Sequence, residues 1–176
     1  YSSSSPDITN CTFSDNSAYS GGSVCCYSSS SSITNCTFSG NSADDYGGAI
    51  YCHSSSLTLT NCTFSRNNAY LYGGAAYCHS SSLTITNCTF CGNTVAGSGG
   101  AVDCYSSSLT LNNCILWGDS AGSGGNEICI SDSGSSCTLN HCCVDNTGYG
   151  GQTGNITENN CISADPQFVD PANGDY

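Results

Sequence analysis

Gly47-Gly48-Ala49-Ile50-Tyr51-Cys52-His53-Ser54-Ser55-Ser56-Leu57-Thr58-Leu59-Thr60-Asn61-Cys62-Thr63-Phe64-Ser65-Arg66-Asn67 is the stretch that decides the fold. Its Leu-Thr-Leu-Thr run alternates apolar and hydroxyl side chains, the period of a half-buried strand. The alternation returns at Leu83-Thr84-Ile85-Thr86 and Leu109-Thr110-Leu111. The Gly-Gly turn returns at Gly21-Gly22, Gly73-Gly74 and Gly99-Gly100, with Gly124-Gly125 as a worn fifth copy. The Phe-x-x-Asn turn runs Phe13/Asn16, Phe38/Asn41, Phe64/Asn67 and Phe90/Asn93, and decays to Leu116/Asp119. Steps of 25, 26, 26 and 26 residues mean a solenoid, in which each unit buries its apolar face only against its neighbours. No helical period is visible, so the chain reads as all-β, a parallel β-helix with about 26 residues per coil. Stacked at ~4.8 Å, about 6 to 7 coils make a rod on the order of 30 Å long.

The repeats occupy residues 1–145, and residues 146–176 read as an irregular C-terminal tail that continues into a further segment. Tyr1-Ser2-Ser3-Ser4-Ser5 aligns with Tyr27-Ser28-Ser29-Ser30-Ser31, so the chain is expected to open in mid-coil.

One basic residue, Arg66, stands against 13 Asp and Glu, for a formal net charge of -12. Phosphate backbones and anionic lipid surfaces need Lys and Arg, which argues against nucleic acid and membrane-surface partners. No apolar run approaches the ~20 residues of a membrane helix. Sixteen cysteines in 176 residues, without paired metal-finger spacings, point to an oxidising compartment and hence to secretion.

Cysteines recur in two columns: Cys26, Cys52, Cys78, Cys104 and Cys129, and Cys11, Cys36, Cys62, Cys88, Cys114 and Cys142. Alternation turns both columns inward, which predicts bridges Cys26–Cys36, Cys52–Cys62, Cys78–Cys88, Cys104–Cys114 and Cys129–Cys142. Each would add roughly 2 to 4 kcal/mol. The other reading is buried free thiols stacked as small core residues. Cys25, Cys91, Cys137, Cys143 and Cys161 lie outside the columns. Cys88-x-x-Cys91 lacks a second ligand pair for zinc, and His53 and His79, one coil apart, read as stacked surface residues. No metal or cofactor is expected.

The inward Cys of Asn-Cys-Thr leaves Asn and Thr outside together, so Asn10, Asn35, Asn61 and Asn87 form a column of N-glycosylation acceptors, joined by Asn155. The alternative is a structural asparagine column whose amides bond up the stack. Ser54–Ser56 and its counterparts read as corners. Outward Thr58, Thr84 and Thr110 form a threonine array of the kind seen on ice-binding β-helices, though threonine is also a good strand surface residue.

The pairing of Gly47-Gly48-Ala49-Ile50 with Phe64-Ser65-Arg66-Asn67, in four good copies, resembles the polymorphic outer membrane protein repeat over roughly residues 8 to 130. That repeat occurs in bacterial surface adhesins. The tail from Ala164-Asp165-Pro166-Gln167-Phe168 to Gly174-Asp175-Tyr176 resembles the segment ending many secreted right-handed β-helix domains. The resemblance implies a right-handed parallel β-helix, secreted or on the cell surface, used for adhesion or as a structural rod, without catalysis.

Polysaccharide-active enzymes share such folds. Lyase chemistry wants a base and a calcium carboxylate cluster, and hydrolysis wants converging carboxylates. The chain has no Lys, and Arg66 matches turn positions Asp15, Gly40 and Gly92. Asp44 and Asp45 have no partner in the next coil, and Asp103 projects outward alone. Two functional readings follow. One is a disulfide-reinforced, N-glycosylated extracellular rod that self-associates end to end. The other is a surface adhesin module that binds a ligand or glycan, with Tyr46, Tyr70, Tyr72 and Tyr105 supplying the aromatic patch.

Overall fold

Each repeat folds into four short strands separated by left-handed corners. In the computed structural model, which describes residues 4–169, Gly47, Ser54, Asn61 and Arg66 mark the corners of one coil with φ of 62°, 51°, 53° and 53°. Glycine and asparagine enter that region at least cost, which explains why Gly, Ser and Asn punctuate the repeat. The Tyr1-Ser2-Ser3 alignment and the closing Gly174-Asp175-Tyr176 lie outside the described residues.

All strand pairs are parallel and join one coil to the next, in four sheets of seven, six, six and five strands among the described residues. The widest sheet holds the Leu-Thr strands, such as Ser56–Thr60 and Ser82–Thr86, paired Leu57 to Leu83 and Leu59 to Ile85. The Phe strands, such as Thr63–Ser65, form the second and strands such as Ser42–Tyr46 the narrowest. The fourth follows the Gly-Gly turn: Val24–Tyr27, Ile50–His53, Ala76–His79, Val102–Tyr105, Ile128–Ile130 and Tyr149–Gly151. The second glycine of the motif is demanded by the stack itself, since a Cβ on Gly74 would lie 2.2 Å from the carbonyl oxygen of Gly100.

The core is a set of files. Phe13, Phe38, Phe64 and Phe90 stack nearly parallel at 4.8, 4.7 and 4.6 Å between centroids. Beside them Leu59, Ile85, Leu111 and Leu139 are fully buried, each such side chain contributing about 1.5–3 kcal/mol by leaving water. An interior asparagine ladder rises from Asn16 through Asn41, Asn67 and Asn93. In it each Nδ2 donates to the Oδ1 above, at 2.9 Å from Asn41 to Asn67 and from Asn67 to Asn93.

The cysteines correct the sequence reading. No disulfide joins any of the sixteen, so Cys26–Cys36, Cys52–Cys62, Cys78–Cys88, Cys104–Cys114 and Cys129–Cys142 are not bridged. The two files sit on different sheets and their sulfur contacts run along the stack. In the first file Cys26, Cys52, Cys78 and Cys104 stand in register on successive strands. In the second file the thiol closes the corner. Cys62 Sγ donates to the Thr60 carbonyl at 3.3 Å, and Cys88 Sγ accepts from the Cys62 amide at 3.3 Å. A thiol here satisfies backbone groups that an apolar residue would leave bare.

Cys129 does not belong to the first file. The 26-residue period holds through the fifth coil and the motif slips, so Ile130 pairs with Cys104 and Cys129 with Asp103. A one-residue slip turns a side chain to the other face. Cys129 therefore points away from the core that Cys142 faces.

The coil also continues past residue 145. Tyr149–Gly151 joins the Gly-Gly sheet and Ile156–Asn159 the Leu-Thr sheet, linked by short 3-10 turns at Asn146–Gly148 and Thr153–Asn155. Glycines and asparagines hide the alternation there.

Candidate functional site

Three outward columns meet along the Gly-Gly sheet. The first, in strand register, is Cys25, Tyr51, Tyr77, Asp103, Cys129 and Gly150. The second is Tyr27, His53, His79 and Tyr105, followed by Ser131 one residue beyond the Cys104–Ile130 pair. The third comes from the neighbouring corner: Tyr46, Tyr72, Ser98 and Gly124, each bridged to the next. Between them lies a cavity of about 730 Å³, within the size range of small-ligand sites.

In-register pairing stacks like on like, so the rings form ladders. Tyr46 and Tyr72 lie 5.9 Å apart at 2°, Tyr51 and Tyr77 5.8 Å at 8°, and His53 and His79 4.8 Å at 7°. His79 in turn stacks on Tyr105 at 5.2 Å and 3°. Tyr46 leans across to Tyr77 at 5.2 Å, tying the third column to the first. This cover buries Tyr51 and Tyr77, although both point away from the core, and burial pushes both phenols up.

Asp103, alone in sequence, is fully buried beneath the groove. Its Oδ1 accepts from Ser131 Oγ at 2.7 Å, and its Oδ2 has no hydrogen-bond partner. Burial raises its carboxyl to about 7, with the bonds from Ser131 and Cys129 opposing the rise. His79 Nδ1 is likewise buried without a partner, and burial lowers its pKa, helped by His53. Cys129 lines the cavity, and burial with the nearby Asp103 raises its thiol, the opposite of what a nucleophile needs. Among the described residues no group of three or more His, Cys, Asp or Glu could hold a metal ion.

The expected patch is brought together in part. Tyr46, Tyr72 and Tyr105 line the cavity, whereas Tyr70 does not; Tyr51, Tyr77, His53 and His79 complete it. The stack spacing of Tyr51 and Tyr77 was readable in the sequence. The cover that makes them groove residues depends on Tyr46 from another corner.

The acceptor column has its own geometry. Asn10, Asn35, Asn61 and Asn87 are exposed, all with φ near 54°, and their amides bond along the stack. Asn35 Nδ2 donates to Asn10 Oδ1 at 3.2 Å, Asn61 to Asn35 at 3.0 Å and Asn87 to Asn61 at 3.2 Å. Asn155 stands apart, with its Nδ2 donating to the Ser133 and Ser135 carbonyls at 3.3 and 2.9 Å. No helix among the described residues is long and apolar enough to cross a membrane.

The sequence profile of the family described as the right-handed beta helix region matches residues 1–164. No curated protein matches the chain. Among solved structures, QnrB1, described as a plasmid-mediated fluoroquinolone resistance protein, is 13% identical over 94% of this chain and 93% of its own. The TM-score is 0.19, a likeness that carries no argument.

Proposed function

Since the chain belongs to the right-handed β-helix family, we propose that it is a non-catalytic, extracellular β-helical module that binds a ligand in the groove along its Gly-Gly sheet. Of the two readings that the sequence leaves open, the adhesin-like one is favoured by the groove itself: stacked rings beside serine hydroxyls and the buried, unpartnered Nδ1 of His79. Structural surfaces rarely leave such atoms without partners, whereas ligand sites use them for orientation.

The non-catalytic part rests on the lining of the groove. Hydrolysis of a glycosidic bond uses two carboxyl groups, and no carboxyl side chain lines the cavity. The extracellular part rests on the exposed Asn-x-Thr column, and kinship with surface-adhesin repeats is part of the same proposal. With the thiols unbridged, the cysteine count no longer argues for an oxidising compartment. Stacked at ~4.8 Å and bonded to one another, the acceptor asparagines suit glycans on alternate coils at most.

The test is binding of the intact chain to an array of glycans and small ligands, beside its Tyr72→Ser variant. Binding that the variant loses, with no cleavage product, supports the reading. Release of product, or equal binding by both proteins, would overturn it.

A further inference from the structure

The three aromatic columns do not run the length of the sheet. Tyr46 and Tyr72 are followed by Ser98, Tyr51 and Tyr77 by Asp103, and Tyr27, His53, His79 and Tyr105 by Ser131. All three replace a ring with a short side chain within one to two coils of each other. The backbone continues in register while the ring volume does not, and that is where the cavity opens. Tyr72, Tyr77 and Tyr105 line it on one side, and Ser98, Ser123 and Ser131 on another. The cavity is a set of missing rungs.

We infer that this slot receives one ring of a neutral oligosaccharide, which takes the place of the missing aromatic rung. The inference rests on the ligand-binding reading of the groove and specifies its ligand. A pyranose is about as broad as a tyrosine ring, offers a C–H face to the aromatic ladder, and carries hydroxyls around its edge. The walls match that pattern. Ser131 spends its proton on Asp103 at 2.7 Å and so accepts from Cys129 Sγ at 3.6 Å, which leaves its Oγ one acceptor lone pair for an incoming hydroxyl. Ser98 and Ser123 add hydroxyls that can donate or accept.

Charge selects against the alternatives. An anionic sugar would enter a chain of net charge -12 whose one basic residue, Arg66, lies outside the cavity lining. A cationic ligand would find aromatic rings but no carboxylate surface, because Asp103 is 0% exposed and does not line the cavity.

Calorimetric titration of the intact chain with cellopentaose and maltopentaose, with oligogalacturonate and with choline tests this. The decisive variant is Ser98→Tyr, which supplies the missing rung in exchange for one hydroxyl, with Ser131→Ala as a second variant that removes a hydroxyl and fills nothing. The inference expects one of the neutral sugars to bind, a drop of at least tenfold in Ser98→Tyr with the melting temperature unchanged or raised, and a smaller drop in Ser131→Ala. Binding of oligogalacturonate or choline instead, or neutral-sugar binding that Ser98→Tyr leaves intact but Tyr72→Ser abolishes, overturns the slot while leaving the groove as a ligand site. No binding by any probe, or binding that no groove variant alters, overturns both. If Ser98→Tyr does not fold, undiminished binding by Ser131→Ala overturns the slot.

Discussion

Replacing Asp119 with asparagine should stabilise the protein, and increasingly so as pH rises. Asp119 stands where the interior ladder calls for its next asparagine. Its Oδ1 behaves as one, accepting from the Asn93 amide and from Asn93 Nδ2, both at 2.7 Å. Its Oδ2 does not. In the coils below, the corresponding Nδ2 donates to a phenylalanine carbonyl: Asn41 to Phe13 at 3.0 Å, Asn67 to Phe38 at 3.1 Å, Asn93 to Phe64 at 3.0 Å. The same offset aims Asp119 Oδ2 at the Phe90 carbonyl, oxygen against oxygen. The atom is buried without a partner, as is Oε2 of Glu127, whose Oε1 caps the ladder by accepting the Asp119 amide at 3.3 Å.

Burial, and after it the Glu127 charge, hold the Asp119 carboxyl well above its ordinary 3.8. The native state therefore keeps a proton that the unfolded chain releases above that value. Stability then falls with rising pH, at up to about 1.4 kcal/mol per unit, until the native carboxyl itself ionises. The Asp119→Asn substitution removes this loss, because its amide is a neutral donor at every pH, as the acid is only while protonated. The gain should be near zero at pH 4. From pH 3.8 to 7 the slope caps it at about 4 kcal/mol. Urea unfolding of both proteins at pH 4 and pH 7 measures it, as a shift in midpoint at constant slope. A gain equal at both pH values, or a destabilised variant, would refute the reasoning.

Asp103 makes a similar prediction nearer the groove. With its carboxyl raised from 3.8 to about 7, it should cost roughly 4 kcal/mol of stability between pH 4 and 7 and nothing more above, and Asp103→Asn should remove that slope in the same urea series. Gly74→Ala should cost about 3 kcal/mol or more in thermal or urea unfolding, because its Cβ meets the Gly100 carbonyl oxygen at 2.2 Å. Alkylation in denaturant without reductant should label all sixteen cysteines, read as intact mass; fewer labels would mean bridges. Expressed in a host that glycosylates the sequon, the chain should exceed 18.0 kDa by a mass that deglycosylation removes, and a bare mass would sink the glycan column.

Much of this protein was decided by its sequence alone, because a solenoid makes local pattern and tertiary contact the same thing. Residue i rests on residue i+26, so the repeat in Gly47-Gly48 and Phe64-Ser65-Arg66-Asn67 predicts both the strands and which side chains stack. The Phe files, the left-handed asparagine corners and the His53–His79 stack follow directly. The tertiary structure decided what depends on contacts off that axis. Spacing could not show that the thiols take their contacts along their own files, since an inward cysteine looks the same whether its partner lies across the coil or above it. Motif matching put Cys129 inside, and the register, set by backbone pairing, put it outside. Nor could a lone Asp103 be read as buried, because the Tyr46 and Tyr72 column that walls the groove comes from a different corner of the coil, a lateral neighbour that no period in the sequence records.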